Sequence, residues 1–241
     1  VQLQPQSKID FASFVPLQIR NIIDDGYSEQ LANIKNVLIG GGPISNGLEQ
    51  ELCHFRNKIY HTYGMTETVS HIALRKLSQG SNSKYFNCLE GVSIKLDSDE
   101  CLNIKGAVTN DLEIQTKDIV EIKNKKEFRW MGRRDNLINT GGIKIIPELI
   151  ENHLIPLFNK RNYPENYFLF GSKDEVLGQK LIMVIEGKSS DIELERLIEK
   201  ELSVRFGKYH IPKQYYYLKE FKRTTSGKVI RTETVNLALK V

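Results

Sequence analysis

Trp130-Met131-Gly132-Arg133-Arg134-Asp135-Asn136-Leu137-Ile138-Asn139-Thr140-Gly141-Gly142-Ile143-Lys144 is the densest stretch of the chain, and Ile145-Ile146-Pro147-Glu148 follows at once. Cations, an acid and a glycine pair lie close together. Gly141 and Gly142 permit positive φ and close backbone approach to a ligand. Arg133, Arg134 and Lys144 supply donors that suit phosphate. A plainer reading is a hairpin, Leu137–Asn139 against Ile143–Ile145, closed by Thr-Gly-Gly and carrying its charges on a solvated face. On these residues alone both readings stand.

The pattern differs on the two sides of this stretch. Upstream, Phe14 to Ile23 reads as a short helix ending near Asp24-Asp25-Gly26. Asn36-Val37-Leu38-Ile39 is a short apolar run stopped by Gly40-Gly41-Gly42-Pro43, as expected of a buried parallel strand and its turn. Ser45 caps a helix running to Phe55. Lys58 to Tyr63 is the next strand, so this portion is an α/β layer. From Tyr85 to Met131, short alternating strands with polar turns predict a small antiparallel β unit. Downstream, a helix is expected from Pro147 to Phe158, with Pro at its first position. Strands at Tyr167–Phe170 and Lys180–Glu186 follow, then a helix from Asp191 to Arg205 with Leu194, Leu197, Ile198 and Leu202 on one face. A strand at Tyr215–Leu218 and a helix from Val229 complete an α+β portion.

The 241 residues suffice for a sizeable core and two domains. The mildly basic net charge of +4 forms no long basic block. It suits a small anionic ligand as well as nucleic acid, but the absence of an interleaved aromatic and basic stripe makes a nucleic-acid binder the weaker idea. Three scattered cysteines without a CxxC pair argue against a disulfide framework or a zinc site and point to a reducing, cytoplasmic setting. No apolar stretch approaches a membrane span. Oligomeric state is not legible.

Four places offer chemistry. Gly40-Gly41-Gly42-Pro43 is either a tight turn or a place where a ring or phosphate meets the backbone. Tyr60-His61-Thr62-Tyr63-Gly64-Met65-Thr66-Glu67-Thr68 ends a strand, where ligands collect in open α/β sheets. Thr66 offers a hydroxyl to phosphate, Glu67 a hard oxygen to Mg²⁺, and Tyr63 a flat face. The alternative there is a capped turn with a solvated Glu67. Asp118 is either structural or accepts from two vicinal hydroxyls. Lys222 to Lys228 places a Gly-Lys before a helix. It lacks the upstream Gly of a P-loop, and a basic turn is the plainer reading.

Taken in order, Tyr-Gly-Met-Thr-Glu, Asp118, Gly-Arg-Arg-Asp with Gly-Gly-Ile-Lys, and Thr-Ser-Gly-Lys resemble the C-terminal motif series of the AMP-forming acyl-CoA synthetases, the adenylate-forming superfamily. The resemblance implies the end of a large adenylation domain, with parallel strands and a small antiparallel unit, over residues 1–134. A small mobile α+β lid domain would occupy 135–241. It implies a carboxylate joined to AMP from ATP with Mg²⁺, then passed to the thiol of coenzyme A. By the same resemblance Gly41, Gly42 and Pro43 line the adenine pocket and Tyr63 stacks on the ring. Thr66 holds the α-phosphate, Glu67 the metal and Asp118 the ribose, with Arg133 in support. Lys144 lies near the phosphate, Asp135 is the hinge, Gly142 sits beside the pantetheine tunnel, and Lys228 serves adenylation.

The chain departs from the pattern at Lys117, where Gly often precedes the ribose-binding Asp, and at Lys222-Arg223, where Pro-Lys is common. The superfamily's phosphate loop has no counterpart in these residues, so these 241 residues are expected not to adenylate unaided. Thr68 to Arg75 and Asn136 to Lys144 further resemble the short o-succinylbenzoate–CoA ligases of menaquinone biosynthesis, which would place Ser70 and His71 toward the acyl substrate. Capping of the turn is the alternative for that pair. The competing functions are another acid–CoA ligase, an enzyme loading a carrier-protein thiol, or a catalytically dead nucleotide-binding module.

Overall fold

The computed structural model describes residues 9–160, 166–187, 190–224 and 227–240. The chain forms two compact units, Val1–Trp130 and Met131–Val241.

The first unit is built on a nine-stranded sheet. It opens with β1 (Ile9–Phe14), a strand the sequence reading did not expect. Helix α1 (Pro16–Asp24) begins only after it, with Pro at the first turn. A one-turn helix, α2 (Ser28–Ala32), leads to β2 (Ile34–Ile39). Ser45 then caps α3 (Asn46–Leu52), its side chain accepting from the Leu48 amide at 3.2 Å. β3 (Lys58–Gly64) completes a parallel trio with β1 and β2. Ile19, Leu31, Ile34, Val37, Ile39, Leu48, Leu52 and Ile59 fill the core between helices and sheet.

The sheet continues with antiparallel strands. β4 (His71–Lys76) pairs with β3. Then come β5 (Phe86–Cys88), β6 (Ser93–Leu96), β7 (Cys101–Lys105), β8 (Ile114–Asn124) and β9 (Glu127–Arg133). Their order across the sheet is β4-β5-β9-β8-β7-β6. The expected antiparallel unit is thus an extension of the parallel trio, joined through β4 and β5.

Between β3 and β4 the chain reverses through a single 3₁₀ turn, Thr66–Thr68. The pairing is irregular at Tyr63/Gly64, where Gly64 faces His71. A Cβ on Gly64 would lie 2.5 Å from the Ser70 carbonyl oxygen and 2.6 Å from His71 Cα. Backbone cannot yield as a flexible side chain can. Gly64→Ala is therefore expected to destabilise the unit by about 3 kcal/mol and to displace Ser70 and His71. A denaturant midpoint equal to that of the unmodified protein would show that the turn is not so constrained.

The second unit carries a five-stranded sheet. β10 (Ile138–Thr140) and β11 (Ile143–Ile145) are antiparallel, with Thr140 opposite Ile143. The loop is therefore the two residues Gly141 and Gly142, at φ +56° and +83°. Positive φ at both positions matches the twist of a two-residue hairpin. It also moves Thr140 from the expected loop into the strand. Helix α4 (Pro147–Lys160), β12 (Tyr167–Asp174), β13 (Gly178–Glu186), α5 (Ile192–Arg205), β14 (Gln214–Leu218) and α6 (Arg231–Ala238) follow. β13 pairs antiparallel with β12 and β10 and parallel with β14. Leu194, Ile198 and Leu202 of α5 join Ile150, Leu154 and Phe158 of α4 in the core. Leu197, expected on the same face of α5, is only partly buried.

Candidate nucleotide site

In the first unit, the C-terminal ends of the adjacent parallel strands β2 and β3 run into the Gly40–Pro43 and Gly64–Ser70 segments. This is the edge of an α/β sheet where ligands gather. Gly40 abuts the Thr62 hydroxyl so closely that a Cβ would collide with it, and Gly41 sits at φ +80°. Gly41 and Pro43 are exposed and Gly42 is half-buried.

The turn after β3 presents Thr66 and Glu67 to solvent while Thr68 is buried beneath them. The Thr68 hydroxyl accepts from the Met65 amide at 3.0 Å and lies 2.7 Å from the Ser70 carbonyl oxygen, which can accept its proton. One buried hydroxyl thus ties both ends of the turn. Val69 stands 88% exposed at φ +61°, a conformation unfavourable for a β-branched residue. Such strain concentrates at functional turns. Ser70 Oγ lies 3.2 Å from His71 Nδ1, so these two side chains form one polar pair.

Asp118, on β8, is 6% exposed. Tyr63 donates its phenolic proton to Oδ2 at 2.6 Å, and Trp130 Nε1 donates to Oδ1 at 3.1 Å. Each carboxylate oxygen has more than one acceptor site, so two vicinal hydroxyls remain compatible with these bonds. The Tyr63 ring also meets Phe128 edge-on at 5.0 Å and tilts against Phe86 at 5.8 Å. The structure thus brings Tyr63 and Asp118 together and adds Trp130, which the sequence reading did not connect to Asp118. Trp130 and Asp118 lie on the neighbouring strands β9 and β8.

A second group under the glycine loop escaped the sequence reading altogether. His61 Nε2 lies 3.2 Å from the Gly42 carbonyl, and Arg75 Nη2 lies 3.1 Å from His61 Nδ1. Arg75 also pairs with Glu49, which pairs with Lys84. Burial and the nearby Arg75 push His61 down to about 4. Burial works against ionisation of Glu49, but the bonds from Arg75 and Lys84 prevail and hold it below the usual carboxylate range.

The second unit contains the remaining predicted residues. Arg133 donates to Asp135 at 3.4 Å. Asn136 bonds to the buried Glu148 at 2.5 Å, and Gly132 has no side chain where Glu148 Oε2 and Ile146 pack. Gly142 and Lys144 are exposed on the hairpin, and nothing lies within 4 Å of a Cβ built on Gly142. Lys228 is exposed in a tight turn: its amide donates to Thr224 Oγ1 at 3.1 Å, and its carbonyl accepts from the Thr224 amide at 2.8 Å. Arg223 and Val229 form a bridge flanking this turn. Thr225 and Ser226 of the same motif lie outside the described residues.

The donor set fits a Mg-nucleotide. Among the described residues no cluster of three or more His, Cys, Asp or Glu can hold a metal by itself. The exposed Glu67 carboxylate could serve as a single protein ligand to Mg²⁺, with phosphate oxygens and water completing the shell. The three cysteines are free. Among the described residues no helix is long and apolar enough to cross a membrane.

No family profile matches the chain. Among curated proteins it is 27% identical over 245 residues to 2-succinylbenzoate–CoA ligase of Staphylococcus epidermidis, covering 92% of this chain and 50% of that one. It is 28% identical over 257 residues to the Listeria monocytogenes protein of the same name, covering 96% and 52%. The chain therefore spans about half the length of the curated relatives it matches. Among solved structures it is 35% identical to an AMP-forming acyl-CoA synthetase/AMP-acid ligase II-like protein from Dyadobacter fermentans, at a TM-score of 0.54, covering 97% and 66%. It shares the fold of the Bacillus subtilis o-succinylbenzoate coenzyme A synthetase solved with ATP and magnesium, at a TM-score of 0.71 and 22% identity, covering 95% and 52%. The chain resembles the C-terminal half of 2-succinylbenzoate–CoA ligases.

Proposed function

We propose that this chain is the C-terminal portion of an AMP-forming carboxylate–CoA ligase that converts o-succinylbenzoate to its CoA thioester in menaquinone biosynthesis. The observation that carries the reading is the grouping in the first unit. A strained turn presents Thr66 and Glu67 at the end of β3, beside the Gly40–Pro43 loop, while Tyr63 and Trp130 hold Asp118.

In this reading Gly41, Gly42 and Pro43 line the adenine and the Tyr63 ring covers it. Asp118 accepts from the ribose hydroxyls, with Arg133 in support, and Lys144 lies near the phosphate. Thr66 donates to the α-phosphate and Glu67 holds Mg²⁺, whose charge offsets that of the phosphates. A carboxylate oxygen of the acid attacks the α-phosphorus and pyrophosphate leaves. The Lys228 ammonium meets the charge building on the attacking oxygen and the phosphate, the kind of electrostatic assistance that dominates phosphoryl chemistry. The CoA thiol, having lost its proton, then attacks the acyl carbonyl and AMP departs. Gly142 borders the path of the pantetheine arm. Asp135 is the pivot between a large domain, residues 1–134, and a lid, residues 135–241, presenting Lys228 for the first step and Gly142 for the second. Ser70 and His71, adjoining the strained turn, face the acyl group. Need for ATP and CoA, together with three free thiols, suits the cytoplasm.

Coupled pyrophosphate release by the natural protein tests the substrate. The expected result is a clear preference for o-succinylbenzoate over benzoate and fatty acids. A preference for another acid would assign a different acid–CoA ligase, transfer to a carrier protein in place of CoA would assign a loading enzyme, and nucleotide binding without turnover would assign a dead module.

A further inference from the structure

The cluster beneath the glycine loop determines which nitrogen of His61 carries its proton. An arginine can only donate hydrogen bonds. Arg75 Nη2, 3.1 Å from His61 Nδ1, therefore requires Nδ1 to be the acceptor and places the proton on Nε2. That proton points at the Gly42 carbonyl, 3.2 Å away. The opposite tautomer would set two donors against each other at Nδ1 and two acceptors against each other at Nε2.

Arg75 is itself fixed. It is 6% exposed, one Nη2 proton serves Glu49 and the other His61, and its guanidinium lies 5.4 Å from the centre of the Phe86 ring. Glu49 comes from α3 and is also held by Lys84. The groups facing His61 are thus Arg75 from β4, Glu49 from α3, the Phe86 ring from β5 at 5.2 Å, and the Gly42 carbonyl. The glycine loop is pinned at its start by the Gly40 amide bonding to the Phe14 carbonyl at 3.0 Å. It is pinned at its far side by His61.

We propose that Arg75, anchored by Glu49, is a positioning residue: it locks His61 in the Nε2–H form and so fixes the Gly42 carbonyl and the Gly40–Pro43 loop in the shape that receives the nucleotide base. The nucleotide clause rests on the function proposed above; the tautomer lock does not. Burial and Arg75, which hold His61 down to about 4, accord with a ring that stays neutral through the physiological range.

The test uses the natural protein, nitrogen NMR of its histidines, and AMP as the probe ligand. In the unmodified protein His61 should show the Nε2–H tautomer and no titration above pH 5. Arg75→Met should give mixed tautomers, raise the His61 titration toward an ordinary histidine, and weaken AMP binding by roughly tenfold, the scale of one hydrogen bond. His61→Gln supplies an amide donor to Gly42 without needing a tautomer. In the H61Q background, R75M should therefore cost less than about twofold in AMP affinity. Equal losses in both backgrounds would reduce Arg75 to a packing role, and an unchanged His61 tautomer in R75M would overturn the lock. If R75M does not fold, Glu49→Gln, which loosens the anchor, is carried through the same tautomer and AMP-affinity comparisons in both backgrounds with the same criteria; its titration is not compared, because loss of the Glu49 charge by itself lowers the His61 value. Failure of the unmodified protein to bind AMP would defeat the nucleotide reading, while the NMR result would still decide the tautomer claim.

Discussion

Lys228→Ala is expected to slow acyl-adenylate formation by roughly 10²–10³-fold, the scale of losing a preorganised charge at a phosphoryl transition state. Thioester formation from supplied acyl-adenylate should change little, because the attacking thiol meets a carbonyl and not a phosphate. The two half-reactions separate this role from a general loss of structure. Lys228 is exposed, and its backbone amide and carbonyl both bond to Thr224. Removing its side chain therefore leaves the turn's backbone bonds in place, and the melting temperature should not move. Equal loss in both half-reactions, or a protein that melts early, would contradict the role.

Asp118→Ala has two expected consequences. It removes the acceptor for the bonds from the Tyr63 hydroxyl and the Trp130 indole. Depriving buried donors of their partner costs about 2–3 kcal/mol of stability. It also removes the carboxylate proposed to receive the ribose, which should weaken AMP binding by more than about tenfold. Asp118→Asn separates the two effects. Its amide oxygen still accepts one of the bonds and its volume is nearly unchanged, so most stability should return. The single neutral acceptor should not restore the nucleotide. Calorimetric AMP affinity alongside denaturant midpoints reads both effects, and D118N binding AMP as tightly as the unmodified protein would remove Asp118 from the ribose site.

Local rules made much of this fold legible. The short apolar run Val37-Leu38-Ile39 before Gly40 marked β2, Ser45 marked the start of α3, and Pro147 marked that of α4. The glycine pair marked the hairpin, although its loop is one residue tighter than expected because both glycines take positive φ. β1 was missed because its parallel partner lies beyond two helices and residues 9–14 lack strict alternation. β4 was missed for a related reason: His71 to Lys76 reads as the tail of the Thr-Glu motif, and only pairing with β3 across a bulge makes it a strand.

The site divides in the same way. Thr66, Glu67, Asp118 and Lys228 stood out through motif order, which carries chemistry without contact information. Trp130 on Asp118, and the Glu49–Arg75–His61 group, are tertiary arrangements. The members of the latter come from α3, β3 and β4, and no spacing along the chain announces that one guanidinium serves both a carboxylate and an imidazole.

In the proposed reaction a carboxylate oxygen of the acid passes to the nucleotide, and isotope transfer follows that oxygen directly. The natural protein would be given o-succinylbenzoate labelled with oxygen-18 in both carboxylates, together with ATP, Mg²⁺ and CoA. Attack on the α-phosphorus, followed by departure of AMP from the acyl carbon, leaves one substrate oxygen on the nucleotide. Mass spectrometry should find one heavy oxygen in AMP and none in pyrophosphate. Heavy oxygen in inorganic phosphate, with ADP as the nucleotide product, would contradict that route.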